Sequence, residues 1–60
     1  MKYLVSKKGD YQKNRTGVAT DSLFFALDMI REGDGKGYAM ELRERRGDRW
    51  YKVDWKNKYR

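Results

Sequence analysis

The sequence contains no cysteine, no histidine and no proline. Without Cys and His, zinc sites of the Cys/His type, thiol catalysis, disulfides and imidazole acid–base chemistry are excluded. The longest apolar run is five residues, 23–27, whereas a membrane-spanning helix needs about 20. The apolar core of the first seven residues is only three residues long, too short for a secretory signal. These absences predict a protein of a reducing compartment, the cytoplasm, with no metal and no cofactor.

Apolar residues are also scarce, since 38% of the 60 residues are apolar and 40% are charged, with a net charge of +6. A chain of this length forms one domain at most and buries only about 60% of its unfolded surface. Low apolar content and high charge favour disorder. The nine aromatic residues favour a fold, because each buries about 150 to 250 Å² when packed. We therefore expect a single small domain over residues 1–60.

Charge is unevenly distributed along the chain. Residues 1–19 carry five cations and one acid, residues 20–34 one cation and four acids, and residues 35–60 nine cations and four acids. One acidic segment therefore separates two basic ones. The same boundaries mark changes in the period of the apolar residues.

The first half of the chain reads as a strand, a loop and a helix. Residues 2–7 alternate as a strand, whereas residues 8–17 have no period and contain Gly, Asp and Asn. We predict a long basic loop over residues 8–19, a length that is usually functional or disordered. Thr20 or Asp21 is predicted to begin the helix, residues 23–32 form its body, and Gly33 ends it.

One face of this helix is apolar and can pack on a sheet, and the opposite face carries a second apolar pair that the sheet cannot cover. At about 100° per residue, the apolar side chains that share the first face are Leu23, Ala26, Leu27 and Ile30. Phe24 falls at the rim, and Phe25 and Met29 lie on the far side, one turn apart. Exposed Phe/Met pairs are typical of association surfaces. Cover by the loop, a weak homodimer and a different protein partner are the three alternatives for this pair.

A β-hairpin is predicted for the second half, with strands over residues 38–45 and 49–56. A two-residue Gly47-Asp48 turn pairs Leu42 with Val53 and Met40 with Trp55. Alternation also places Tyr38 and Tyr51 on this core face. On the other face the same register predicts a solvated charge lattice, in which Glu41, Arg43 and Arg45 lie opposite Asp54, Lys52 and Trp50. Residues 57–60 are expected to form a ragged basic tail.

The order β-α-β-β predicts an α+β two-layer sandwich, with one helix packed on a three-stranded, mainly antiparallel sheet. The first strand is expected either beside the third strand, antiparallel, or beside the second, parallel after the helical crossover. The paired acids Asp28 and Glu32 read as a solvated helix face rather than as catalytic carboxylates, because nothing there indicates a buried pocket. We therefore predict that the protein is not an enzyme.

Basic side chains interleaved with aromatic ones favour nucleic-acid binding, because cations contact phosphates and rings stack on bases. The prediction is a small basic protein that binds DNA or RNA through a cationic sheet face with Trp50 as the stacking platform. The residues expected in this interface are Lys8, Lys13, Arg15, Arg43, Arg45, Arg46, Arg49, Trp50 and Lys52. Residues 56–60 repeat the basic pattern.

The alternative is a small regulator or inhibitor that binds a protein through Phe25 and Met29, since aromatic anchors supply much of the energy of interfaces. Small size, absent cysteine and mixed charge are typical of accessory proteins of phages and mobile elements. No motif supports a family assignment.

Overall fold

Four strands form an antiparallel sheet in the computed structural model, which describes residues 1–59. The strands are β1 (Tyr3–Lys7), β2 (Val18–Thr20), β3 (Met40–Arg46) and β4 (Arg49–Val53), and their order across the sheet is β2-β1-β3-β4. The helices are α1 (Asp10–Asn14), α2 (Leu23–Gly35) and α3 (Trp55–Lys58). The α+β class is confirmed, but the sheet has four strands instead of three, and three helices accompany it instead of one.

The β3–β4 hairpin has the predicted register. Leu42 pairs with Val53, Arg43 with Lys52 and Arg45 with Trp50, and Gly47 occupies the turn with a positive φ of 64° that favours glycine. Two details of the prediction are wrong. β3 begins at Met40, which leaves Tyr38 outside the strand and 45% exposed. β4 ends at Val53, so Trp55 begins α3 and does not pair as a strand residue.

The segment predicted as a loop over residues 8–19 contains α1 and most of β2. β2 runs antiparallel to β1 and so reverses the chain before α2 begins. α2 therefore connects β2 with β3, passing over β1, which lies between these two strands and antiparallel to both. Both predicted positions of the first strand are therefore wrong. β1 lies beside β3, which is the second of the three predicted strands, and it runs antiparallel to β3 because β2 has already reversed the chain.

The limits of α2 differ from the predicted ones at both ends. Ser22, rather than Thr20 or Asp21, is the N-cap, and its hydroxyl accepts a hydrogen bond of 3.2 Å from the Phe25 N–H. The helix continues through Gly33 to Gly35. Gly33 is buried against Met40, so its role is a close approach to the sheet and not a helix stop.

The core lies between α2 and one face of the sheet, here called the inner face. The buried apolar side chains of this core are Tyr3, Val5, Ala26, Ile30, Leu42 and Val53. The predicted sheet-facing side of α2 is confirmed, since Ala26, Leu27 and Ile30 are buried. Phe25 is 52% exposed, as expected. Met29 is half-buried and packs against the core, so the expectation of an exposed Phe/Met pair is wrong for Met29.

The end of the chain folds back onto the inner face. The Trp55 indole N–H donates a hydrogen bond of 3.1 Å to the Met40 carbonyl oxygen, and Tyr59 packs partly buried against the core. Residues 57–59 of the predicted ragged tail are therefore held in place, and Arg60 lies outside the described residues. Over residues 1–59, no helix is long and apolar enough to cross a membrane.

Candidate nucleic-acid interface

The opposite side of the sheet, here called the outer face, carries the strand residues that alternate with the core. Leu4 and Ser6 of β1 lie beside Arg43 and Glu41 of β3 on this face. α1 lies over part of it, because the Gly9 N–H contacts the Glu41 carboxylate at 3.4 Å and the Tyr11 ring stacks on Arg43. The sheet is therefore covered on both faces, by α2 and α3 inside and by α1 outside.

A buried ion network occupies the centre of the outer face. Arg43 and Glu41 are each only 6% exposed. The Arg43 guanidinium lies 3.4 Å from both the Glu41 carboxylate and the Ser6 hydroxyl, and Lys52 Nζ approaches the second Glu41 oxygen at 2.9 Å. The predicted solvated lattice is wrong at Glu41 and Arg43, because α1 covers them. The predicted register also sets Lys52 diagonally across from Glu41, and these two side chains form an ion pair.

This network lowers the pKa of the Glu41 carboxyl below its ordinary value. The largest cause is the hydrogen bond from Lys52; the Gly9 N–H and the charges of Lys52 and Arg43 act in the same direction, and burial opposes them. Glu41 is thus held as a carboxylate. Its negative charge neutralises part of the outer face, and Arg43 Nη1 donates within the fold to Glu41 and Ser6.

Tyr11 joins α1 to this network through its ring. The Arg43 guanidinium lies 4.6 Å from the ring centroid, and the Arg15 guanidinium lies 5.1 Å from it. Two cations therefore flank one half-buried ring, an arrangement that favours a stable cation–π contact. Arg15 itself caps α1 with a positive φ of 55°. No local sequence pattern connects Tyr11 with Arg43, because β3 lies about thirty residues further along the chain.

The predicted cations that remain accessible on this side surround the ion network. Arg45 is exposed on the outer face, directly opposite half-buried Trp50. Lys52 is exposed although its ammonium group also bridges Glu41. Lys13 and Arg15 are exposed at the end of α1. Cations thus lie on two sides of the buried centre, with one indole ring beside them.

The other predicted cations do not join this group. Arg46 and Arg49 pair with each other beside the turn and alternate toward the inner face, where the Arg46 guanidinium lies 5.5 Å from the Tyr51 ring centroid. Lys8 is exposed, and its backbone N–H bonds to the Ala39 carbonyl oxygen at 2.7 Å. The hairpin cations were predicted as one set, but alternation divides them between two faces.

Four of the nine acidic residues lie in α2 or just before it, on the opposite side of the sheet. Residues 20–34, which form most of α2 and its start, contain Arg31 as their one cation and four acids, all of them exposed. Because α2 packs on the inner face, the sheet separates the acids of α2, here called the acidic layer, from α1 and the outer cations. The inner side also carries cations away from α2, namely Arg46 and Arg49 of the hairpin and Lys56 and Lys58 of α3.

A depression with a volume of about 450 Å³ lies at the open end of the hairpin. Its lining includes Glu41, Lys52, Trp55 and Lys56. Two acids, Glu41 and Asp54, also belong to this lining, and Glu41 is paired with Lys52, as described above. Within residues 1–59, no three acidic side chains converge as ligands for a metal ion.

An exposed aromatic pair occupies the first turn of α2. Phe24 is 83% exposed, more than Phe25, although the helical periodicity placed it at the rim of the packed face. α2 begins at Leu23, so Phe24 projects from the helix end with little of the fold around it. The two rings form the candidate protein-binding surface, with Phe24 in place of Met29.

No protein-family model, curated protein or solved structure matches this chain. The structure therefore defines its class by architecture alone, a small α+β fold with a four-stranded antiparallel sheet and helices on both faces.

Proposed function

We propose that this protein binds nucleic acid, DNA or RNA, through its outer layer. The observation that supports the proposal best is that the accessible cations Lys13, Arg15, Arg45 and Lys52 lie on the outer side of the sheet, away from the four acids of residues 20–34. A phosphate backbone is attracted to these cations and repelled by the acids of α2, which orients the encounter.

Different parts of the outer layer have different roles in this proposal. Lys13, Arg15, Arg45 and Lys52 contact phosphates, and Trp50 offers one ring for stacking. Arg43 does not contact the ligand; it holds α1 in place through Tyr11 and Glu41. Since the centre of the face is covered by α1, contacts run around its edge and not across a flat platform.

The test is binding of labelled oligonucleotides, single-stranded and duplex, at about 50 mM salt, where phosphate contacts are strong. The double variant Lys13→Ala with Arg45→Ala should bind more weakly than the wild type. The matched control is Arg31→Ala with Lys36→Ala, which removes the same charge from the acidic side. A wild type that does not bind, or a control that loses as much affinity as the outer variant, would contradict the proposal.

A second candidate is a protein-binding regulator, and the exposure of Phe24 and Phe25 favours it. Aromatic side chains left in water at one helix end are suitable anchors for a partner. Purification from native extract, with and without nuclease, separates the two candidates. A co-purifying component that nuclease removes supports nucleic-acid binding. A protein that still co-purifies after nuclease treatment, but no longer does so with Phe24→Ser, supports a protein partner.

A further inference from the structure

Two neighbouring residues of the edge strand β4 direct aromatic rings to opposite faces of the sheet. Trp50 pairs with Arg45 on the outer face and Tyr51 pairs with Glu44 on the inner face, because successive side chains of a strand alternate. Trp50 is half-buried, and Tyr51 is 45% exposed. α2 packs mainly against β1, β2 and β3, which leaves the Tyr51 ring accessible. One sheet edge therefore has a ring on each side.

The inner ring, like the outer one, is accompanied by cations. The Arg46 guanidinium lies 5.5 Å from the centroid of the Tyr51 ring, and Arg49 lies directly opposite Arg46 on the same face. Both arginines are exposed, and within residues 1–59 neither forms an ion pair. The exposed acid of the turn, Asp48, offsets part of this charge. The remaining excess is positive and is available to an anionic ligand.

The acid opposite Tyr51 is neutralised within the fold. The Glu44 side chain is 17% exposed, and Lys58 Nζ of α3 lies 3.6 Å from its carboxylate. Glu44 therefore opposes an anion on this surface less than a free carboxylate would.

The edge between the two rings suits an anion better than another strand. Within residues 1–59, β3 is the single strand that pairs with β4, so β4 presents backbone N–H groups that have no partner in the sheet. Such groups donate to phosphate oxygens in nucleic-acid complexes. The exposed cations Arg49 and Lys52 of β4 oppose pairing with a further strand and attract phosphates.

We propose that one single strand of DNA or RNA wraps around the β4 edge, with one base stacked on Trp50 and another on Tyr51. The phosphates between these bases lie along the edge, beside the cations of both faces. The inference rests on the proposed nucleic-acid binding and narrows the ligand to single strands. A single strand can bend around the edge and offers a free π-face at every base. A duplex has its bases stacked inside and a persistence length of about 150 bp, so it cannot contact both rings.

The test compares a labelled oligothymidylate with a duplex of the same length in fluorescence-anisotropy titrations. Trp50→Leu and Tyr51→Leu keep apolar bulk but remove a ring, and each should weaken single-strand binding about five- to 150-fold, which corresponds to one stacked base. Binding of the duplex should change little. The matched control is Tyr38→Leu. Tyr38 is also 45% exposed and also lies against a cation, with Lys7 Nζ 4.0 Å from its ring centroid, but it precedes β3 at the end opposite the hairpin turn. This variant should bind as wild type does.

The cations and the stoichiometry supply two further measurements. Arg46→Ala with Arg49→Ala removes two phosphate contacts, so the slope of log affinity against log salt should flatten by about 1.4 on single strands and stay unchanged on duplex. A strand that contacts both rings gives one bound strand per protein. Circular dichroism of each variant verifies that it is folded.

Several results would overturn the wrapped strand and leave the proposed function in place. One is wild-type binding of single strands by both Tyr51→Leu and the Arg46/Arg49 variant, while Lys13→Ala with Arg45→Ala binds more weakly. Another is an equal loss of duplex and single-strand binding in Tyr51→Leu. Two strands bound per protein would indicate separate sites on the two faces. Polyglutamate that displaces the strand at equal charge concentration would assign the surface to an acidic protein segment. A wild type that binds neither oligonucleotide would refute nucleic-acid binding itself.

Discussion

At the level of single residues, Glu41 connects three separate parts of the chain. Its carboxylate contacts the Gly9 N–H before α1, Arg43 on its own strand and Lys52 on β4. A buried carboxylate without such partners would be strongly destabilising. The sheet register explains which residues share the outer face, and α1 explains why this part of the face excludes water.

The first prediction concerns the pH dependence of this network. Because the folded state holds the pKa of Glu41 below its ordinary value of 4.5, the unfolded chain binds this proton more readily. The stabilisation is therefore complete above that value and is lost as the pH falls through the lower, folded pKa. Glu41→Gln should lower the free energy of unfolding at pH 7 by about 3 kcal/mol, since it leaves Arg43 buried without its counter-ion.

Urea denaturation of both proteins between pH 7 and pH 2.5 measures this effect. The difference between wild type and Glu41→Gln should shrink once the pH passes below the ordinary glutamate value. A difference that stays constant down to the lowest pH would show that the Glu41 charge does not stabilise the fold.

The second prediction distinguishes the two tryptophans. Trp55 packs against the core and donates to the Met40 carbonyl oxygen, so Trp55→Ala should cost about 3 to 4 kcal/mol of stability. Trp50 lies half-buried on the outer face, and Trp50→Ala should leave the fold largely intact while weakening single-strand binding by about 1 to 3 kcal/mol. Thermal denaturation and fluorescence anisotropy measure the two quantities. If Trp50→Ala lost stability and Trp55→Ala lost only binding, Trp50 would belong to the core and Trp55 to the nucleic-acid interface.

At the level of elements, α2 contains two glycines in different surroundings, one packed closely on the sheet and one open to solvent. A Cβ atom at Gly33 would lie 2.9 Å from Met40 Cγ, whereas a Cβ at Gly35 would meet nothing within 4 Å. Both residues are helical, so the gain in helix propensity on changing either to alanine is similar. The two positions differ in their surroundings, because Gly33 packs against Met40 of β3 and Gly35 does not.

The third prediction follows from this pair. Gly35→Ala should raise the free energy of unfolding by up to about 1 kcal/mol through helix propensity alone. In Gly33→Ala the overlap with Met40 should outweigh that gain and destabilise the protein by about 1 to 2 kcal/mol. Chemical denaturation of the two variants side by side provides the measurement. A stabilising Gly33→Ala would mean that Met40 moves aside without cost.

The elements that the sequence predicted correctly are those determined by neighbouring residues. The hairpin register follows from the Gly47-Asp48 turn and from Leu42 and Val53, and the packed face of α2 follows from its 3.6-residue period. β2 could not be predicted this way. Val18, Ala19 and Thr20 are too few to show an alternation, and their pairing with β1 is a long-range contact. The burial of Arg43 also depends on Tyr11, which no local pattern connects to it.

At the level of the whole molecule, the sheet lies between the outer cations and the acids of α2. The accessible outer cations lie on one side of the core and the acids of α2 on the other, although the net charge of the chain is +6. An anionic ligand that approaches the outer face therefore responds to the outer cations more than to the net charge of the whole chain. Attraction by net charge and attraction by the outer cations predict different effects of mutations on the salt dependence of binding, so titrations at several salt concentrations distinguish them.

The fourth prediction concerns this salt dependence. Each phosphate neutralised contributes about −0.9 to the slope of log affinity against log salt on duplex and about −0.7 on single strands. Removing two contacts in Lys13→Ala with Arg45→Ala should therefore flatten the slope by about 1.4 on single strands and 1.8 on duplex. Arg31→Ala with Lys36→Ala lowers the net charge equally, but these side chains lie with the acidic layer, so the slope should stay as in wild type. Anisotropy titrations at four salt concentrations give the slopes. Equal flattening in both variants would mean that net charge alone attracts the nucleic acid, and the outer layer would then not be its interface.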